Sequence, residues 1–520
     1  MERLDVAILG GGMAGSLLAR QLLRSAPNLR IGLFERTHER GHRLGESTVE
    51  IGSNYLARRL ALSRYLYEHH LPKNGLRYFF DSQGRDLALP EMSEIGSWNL
   101  PFHPAFQIDR GRFDADLLRM VTEDGARVRI GARVHDVELG VGGVPHRFRV
   151  EADGRAEQWE TRWLVDATGR SALIARAKGL RVKDVGHRVA SAWGRFEGVA
   201  DIDDMGPEEF RARVRHTSRG ISTLHFCYPG YWIWFIPLKN GITSIGVVGE
   251  PPREARLRTA EGFRAFLEEH AAIRELLRTA KTIDVSGYAK LAYGTRSYLS
   301  PDRWAMTGES AVFADPLYSP GTDFIALEND FVTDAIIRDA GGETQAEVAE
   351  RIDLYDRFLH FRFEAAMLLY RGQYGLLGSA ELMRLKWDFD LGLYYNLWVS
   401  SYMQDQHLDA TWLRRELRQE RFVLQAMRNF SALFQKAEGQ LRREGKYWRS
   451  NRGHFSYGLE HIDFVEEVGQ PHTRRQVLEK TGEIFNSVYL RTHELLEKAD
   501  GGATVEPLPL TSFMVDRPLA

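Results

Sequence analysis

Cysteine is nearly missing: Cys227 is the sole one in 520 residues. A single thiol excludes an intramolecular disulfide and a cysteine-built metal site, and it suits a reducing compartment. No apolar run approaches the roughly 18–20 residues of a membrane span. Charge of one sign is lacking too, because 69 Lys and Arg face 71 Asp and Glu for a net charge of −2. No broad basic field is left for nucleic acid or an anionic membrane. We find no internal repeat and no low-complexity block. The apolar strand Asp5-Val6-Ala7-Ile8-Leu9 starts almost at once, so we expect no signal peptide and a cytoplasmic location. What remains, 43% hydrophobic and 27% charged residues, is the balance of a globular chain with room for two or three domains.

The pattern divides near residue 342. Residues 5–35 read as strand, turn, helix and strand, with a helix near 51–70 and another from Ile108 to Val121 entered through Asp109-Arg110. Strands follow at Ala132-Val134, Phe148-Val150 and Trp163-Asp166. Residues 187–250 alternate apolar and polar as an antiparallel sheet does; 260–280 is helical, and 303–340 returns to strand, loop and helix. Beyond 343, Val348, Ile352, Tyr355, Leu359, Phe363, Ala366 and Tyr370 recur at helical spacing. Helical patterns rich in aromatics run to about residue 498. The tail from Asp500, with Gly501-Gly502 and three prolines, reads as irregular.

Gly10, Gly12 and Gly15 form G-x-G-x-x-G between a strand and a helix. The first allows the tight turn, the second a close approach of pyrophosphate, and the third close helix packing, while the helix N-terminus supplies N–H donors. Glu35 ends the next strand, where an acid holds ribose hydroxyls. The dinucleotide is NAD(P) or FAD. Asp166-Ala167-Thr168-Gly169 after an apolar strand, and Trp304 to Ser310 leading into Phe313-Ala314-Asp315-Pro316, favour FAD, whose length requires a second strand end. Asp315 is the acid expected at its ribityl and phosphate region. There is no second Gly-rich fingerprint for NAD(P)H, so reducing equivalents come from elsewhere.

Residues 232–237 read Trp-Ile-Trp-Phe-Ile-Pro. In a strand Trp232 and Trp234 share one face, Ile233 and Phe235 take the other, and Pro237 ends the ladder.

Together these segments resemble a flavin-dependent halogenase within the flavoprotein aromatic monooxygenases. The resemblance rests on the Gly10–Gly15 turn, Gly45-Glu46-Ser47, Lys73-Asn74-Gly75, the Trp232–Pro237 string, and Phe313, Pro316, Ser319 and Gly321 as F-x-x-P-x-x-S-x-G. It implies an α/β fold: a Rossmann-type FAD-binding core over 1–342, with residues 187–300 mostly substrate-side sheet and helix, and a mainly helical region over 343–520. It implies that reduced FAD, supplied by a separate flavin reductase, and O2 oxidise chloride or bromide to hypohalous acid. Lys73 presents that species to an electron-rich aromatic. Trp232 and Trp234 would partition flavin from substrate, and Ser319 would sit with Lys73 in the catalytic set. Gly10, Gly12, Ala14, Gly15, Glu35, Arg36, Glu46, Ser47, Arg110, Asp315, Pro316, Gly321 and Thr322 would face the cofactor, and Gly321 and Thr322 also the halide.

Lys73 within Pro72-Lys73-Asn74-Gly75 is also what an exposed turn looks like. Two positions depart from the family pattern. Tyr318 stands where halogenases of free tryptophan usually carry a glutamate, which turns the expected substrate towards phenol or pyrrole types, free or carrier-bound. Asp323 puts a carboxylate near the expected halide site, where it would repel an anion unless turned away. Hydroxylation by a related monooxygenase, or flavin binding without turnover, are the alternatives. His69-His70 diverge on a helix and do not share a metal; we expect a surface pair. Tyr370, Tyr374, Trp387, Tyr394, Tyr395, Trp398 and Tyr402 form either core or the cover of a substrate pocket. Gly445-Lys446-Tyr447-Trp448-Arg449 is a mildly basic patch suited to an acidic carrier.

Overall fold

The glycine turn does what its spacing demands, and the first sheet grows around it. In a computed structural model, which describes residues 2–38, 41–97, 99–214, 216–250, 255–457, 465–500 and 505–519, the strand Glu2–Leu9 leads through the turn into the helix Met13–Ser25 and back into Ile31–Glu35. Glu2–Leu9 lies parallel between Ile31–Glu35 and the long strand Arg155–Asp166. Arg127–Ile130 and Trp304–Met306 add parallel strands outside these two. Crossovers of this kind bury both faces of a parallel sheet, and Val6 to Leu9 are fully buried.

A second eight-stranded sheet carries the tryptophan string. Ala190–Glu197, Ile242–Gly249, Tyr231–Pro237 and Thr223–Tyr228 are antiparallel neighbours, as the alternation predicts. Two parallel joins extend it: Leu76–Phe80 beside Thr223–Tyr228, and Phe455–Tyr457 beside Ser93–Gly96. The sheet separates two cores. Trp232, Trp234 and Ile236 belong to the large one, and Ile233 and Phe235 to the smaller.

The helix expected near 51–70 is broken. Glu50–Asn54 runs into a π-helical turn, Tyr55–Arg59, then Ala61 takes the left-handed conformation (φ +53°) before Ser63–His69 resumes. Its two histidines part company: His70 is buried, its Nδ1 accepts the Asp109 N–H at 3.2 Å, and burial pulls its pKa down to about 4. The surface pair is therefore half wrong, and no metal cluster exists among the described residues.

The helix Gln345–Leu368 starts in a capping box, with the Thr344 Oγ1 accepting from Glu347 N–H. It packs on Gly321–Ala340 and on the 34-residue helix Ala410–Arg443. Ala380–Leu393 continues into a second π-helical turn, Tyr394–Val399, which aims three aromatics inward. Such turns often mark functional sites. Gly501-Gly502 lie outside the described residues. No helix among the described residues is long and apolar enough to cross a membrane.

Candidate active site

The nucleotide end is shaped by contact with backbone. Gly10 has φ +107°, and a Cβ there would lie 2.3 Å from the Ala167 carbonyl oxygen; one on Gly15 would lie 2.1 Å from that of Gly10. Gly12 precedes the helix, and its nearest neighbour would be Arg43 Nη1 at 3.7 Å. A side-chain-free cradle thus faces the N-terminus of a 13-residue helix, which fits a pyrophosphate. Glu35 Oε2 accepts the Gly11 N–H at 2.7 Å and Oε1 the Thr37 N–H at 2.9 Å. A carboxylate at this strand end is placed as an acceptor for ribose hydroxyls. Ala14 packs under Gly308, whereas Arg36 is exposed.

At Gly45 (φ +97°) the chain passes so close to Arg110 that a Cβ would lie 2.6 Å from its Nη1. Arg110 donates to the Leu44 carbonyl at 2.6 Å and forks onto Asp114 at 2.9 and 3.0 Å. Glu46 is buried beside it, and burial holds its carboxyl above the ordinary range despite a hydrogen bond from Ser244. Asp315 departs from expectation: its carboxylate is spent inside the protein on His187 Nε2 (2.7 Å), Tyr374 OH (2.6 Å) and the Leu317 N–H (2.9 Å). The acid that meets the arginines here is Glu309, 3.6 Å from Arg170 and within the field of Arg110. Its signal was available, since Gly308-Glu309 follows Trp304–Met306 much as Glu35 closes its own strand. Pro316 is half-buried, and its carbonyl accepts the Ser319 N–H at 3.0 Å.

Lys73 is no exposed turn residue. Its N–H donates to the Ala105 carbonyl and that of Asn74 to Ile221, which pins the turn from both sides while Gly75 takes φ +60°. The side chain is 2% exposed, and Nζ donates to Ser47 Oγ and the Thr48 carbonyl, both at 2.8 Å. Burial pulls its pKa down to about 7, against the carboxylates of Glu50 and Asp323. Ser47 Oγ also lies 3.0 Å from both Ser319 Oγ and Thr223 Oγ1. Lys73, Ser47 and Ser319 therefore share one hydrogen-bonded chain, with Ser319 held at φ +56°.

Gly321 is exposed at the start of its helix, while Thr322 is buried against Gly52. Asp323 turns away from that end. Its Oδ1 accepts the Gly52 N–H at 2.7 Å and Oδ2 the Tyr394 hydroxyl at 2.8 Å, so it satisfies the first turn of Glu50–Asn54. Burial pushes its pKa up to about 7.

Trp232 Nε1 donates to the Tyr374 hydroxyl at 3.1 Å, and so reaches Asp315; Trp234 Nε1 donates to Ser244 Oγ at 3.3 Å, and so reaches Glu46. The Trp234 ring lies over Gly246, where a Cβ would come within 2.2 Å of it. Each indole is tied to a segment expected at the flavin. Neither lines the cavity described next.

A cavity of about 350 Å3 opens beside Lys73, between the segment 99–105 and the helices that carry Asp323, Arg362 and Asp390. Tyr370, Trp387, Tyr394, Tyr395 and Trp398 line it, so these aromatics bound a cavity as well as contributing to the core. Tyr374 serves Asp315, and Tyr402 donates to Asp330 in the interior. Tyr318 OH donates to Asp390 at 2.7 Å, which also takes Lys386 Nζ at 2.6 Å. Tyr395 OH donates to Glu50 at 2.8 Å. Glu50, Arg362 and Asp390 went unnoticed in the sequence, because helical periodicity marks them only as positions on a buried face. The basic patch is neutralised, with Arg449 forked onto Glu381 at 2.8 and 2.9 Å and Lys446 on Glu444 at 2.9 Å.

Residues 3–272, just over half of the chain, match the family model described as FAD binding domain. The chain belongs to that family. It is an FAD-dependent oxidoreductase, and the curated proteins it resembles include flavin-dependent halogenases. It is 28% identical to a flavin-dependent halogenase of Dictyostelium discoideum, over 78% of this chain and 71% of that one. Identity is 27% to a tetracycline 7-halogenase of Kitasatospora aureofaciens, over 61% and 60%. It is 26% to a 1H-pyrrole-2-carbonyl-[peptidyl-carrier protein] chlorinase of Pseudomonas fluorescens, over 62% and 73%. Among solved structures, the halogenase PltM has the same fold over 98% of both chains, with a TM-score of 0.68 at 17% identity. The α/β architecture expected from the sequence, with its helical region, is the one found.

Proposed function

We propose that this protein is a two-component halogenase of an electron-rich aromatic of phenol or pyrrole type, with Lys73 as the group that delivers the halogen. The observation that carries this reading is the Lys73 ammonium itself: buried, on the cavity wall, and hydrogen-bonded to a serine that also meets Ser319. Reduced FAD, with O2, supplies the oxidation that turns chloride or bromide into hypohalous acid. Gly10, Gly12, Gly15, Glu35 and Glu309 would hold its nucleotide end, and Glu46, Ser47, Pro316, Gly321 and Thr322 its ring end. We assign residues 1–342 to the cofactor side and 343–520 to the cover of the substrate. A separate reductase would supply the reduced flavin. The carrier chlorinase among the relatives keeps a carrier-bound substrate in play beside a free one.

At the cavity, the Lys73 ammonium donates a hydrogen bond to the oxygen of the hypohalous acid and makes the halogen more electrophilic. The arene carbon attacks the halogen. The oxygen–halogen bond breaks towards oxygen, which takes the lysine proton and leaves as water. The ring then gives its proton to the lysine amine, which restores the ammonium, and regains aromaticity. The aromatic walls exclude water that would compete for the halogen.

The test combines the purified protein with a flavin reductase, NADH, FAD, bromide and a set of phenols, pyrroles and indoles, read by mass spectrometry. The expected product carries bromine and is lost in Lys73→Ala. A product heavier by one oxygen, formed with or without bromide and surviving that substitution, identifies a hydroxylase instead.

A further inference from the structure

Five arginines among the described residues are less than a tenth exposed: Arg77, Arg110, Arg195, Arg219 and Arg362. Four of them rest on carboxylates, Arg77 and Arg219 on Glu94, Arg110 on Asp114 and Arg195 on Asp284. Arg362 does not. It is 7% exposed and lines the cavity, and among the described residues no carboxylate lies within ion-pair distance of it and no hydrogen-bond acceptor is assigned to it. Its guanidinium stacks at 3.8 Å over the ring of Trp398, which leaves the in-plane N–H fork open. The nearest negative field is that of Asp323, whose two oxygens are already taken by Gly52 and Tyr394. Burying an arginine without a partner is costly. A partner brought by the ligand removes that cost.

We propose that Arg362 anchors an anionic oxygen on the aromatic ligand, so that the cavity takes aromatic acids and ionised phenols in preference to neutral rings. The ring lies among Trp387, Tyr394 and Trp398, the anionic oxygens meet the guanidinium fork in its plane, and the carbon to be substituted is left to Lys73. The proposal names the substrate class for the halogenase reading and rests on it for biology, but its binding step needs no turnover.

The experiment is calorimetric titration of the FAD-loaded protein, without reductant, with two probes that differ by one group: 2,4-dihydroxybenzoate and resorcinol. The wild type is expected to bind the benzoate at least about tenfold more tightly. In Arg362→Met, which keeps the stem packing, that preference collapses to about one while resorcinol affinity stays within about twofold. Should Arg362→Met fail to fold, Arg362→Lys, which keeps the charge and loses the fork, is expected to reduce the preference at least about threefold. Equal wild-type affinity for the two probes, a preference that survives Arg362→Met because Lys73 reads the carboxylate, or no binding of the benzoate to the wild type overturns the proposal. A preference that follows Arg362 in a protein that never incorporates halogen sinks the halogenase reading and leaves this one standing.

Discussion

Glu35 at the nucleotide end takes two backbone N–H groups, and Arg110 is forked onto Asp114. Around the cavity the pattern reverses. Lys73 rests on two neutral oxygens, Arg362 has an aromatic ring beneath it, and burial pushes the Asp323 carboxyl up to about 7. The first region is a receptacle in which Glu35 and Arg110 have their partners before anything binds. The other buries charge without an opposite partner at Lys73 and Arg362, although Asp390 is paired with Lys386, as catalytic sites do when they must shift pKa values and receive a polar ligand. The contrast can be broken at either end.

The largest effect belongs to Lys73. Lys73→Ala is expected to lower halogenated product by at least about a thousandfold, within the range for loss of a positioned proton donor. FAD affinity by absorbance titration should stay within about twofold. A parallel loss of FAD would make Lys73 part of the receptacle and erase the distinction. Gly15→Ala attacks the other side. Its Cβ would lie 2.1 Å from the Gly10 carbonyl oxygen, so the turn must open, at about 1–3 kcal/mol by the usual cost of overpacking. FAD retention after gel filtration should fall about tenfold, together with the melting temperature.

Tyr374→Phe tests the link between the two regions. The hydroxyl accepts from Trp232 and donates to Asp315, so its removal leaves both buried groups short of a partner. A loss of about 1–3 kcal/mol is expected, read as a lower midpoint in urea. An unchanged midpoint would mean that the tryptophan string is held by packing alone.

The receptacle was readable because it is local. Gly10 to Glu35 spans one turn, one helix and one strand, and the residues that meet are the ones whose spacing announces it. Trp232 and Trp234 were equally readable as one face of a strand, since alternation is a property of the strand itself. Asp315 misled because sequence places an acid near the second strand end without its direction, and His187 and Tyr374, which claim it, are far away in the chain. Lys73, expected in the catalytic set, also fitted a surface turn because Ala105 and Ile221, which bury it, are tertiary partners. Arg362 and Asp390 were invisible for a related reason: periodicity says which face of a helix is buried, and does not say whether the burial is core or cavity. The two parallel joins of the second sheet depend on the same long-range pairing.

The smallest expected effect is the most pointed. Lys73 must carry its proton to assist the departing oxygen, and its pKa lies at about 7. The rate of halogenation by supplied hypohalous acid should therefore be full below pH 7 and fall as pH rises through that value, up to about tenfold per pH unit beyond it. Glu50 and Asp323 both raise the lysine pKa, Glu50 the more. Glu50→Gln and Asp323→Asn remove those negative fields, so the ammonium gives up its proton more easily and the falling limb moves to lower pH. Glu50→Gln is expected to produce the larger displacement, and both should leave the low-pH plateau within a few-fold of the wild type. If the limb stays in place in both variants, the titrating group is not Lys73. If the rate instead rises with pH through the lysine pKa, and the rising limb moves to lower pH in both variants, the active form is the free amine, and the lysine acts as a nucleophile towards halogen rather than as a donor to oxygen.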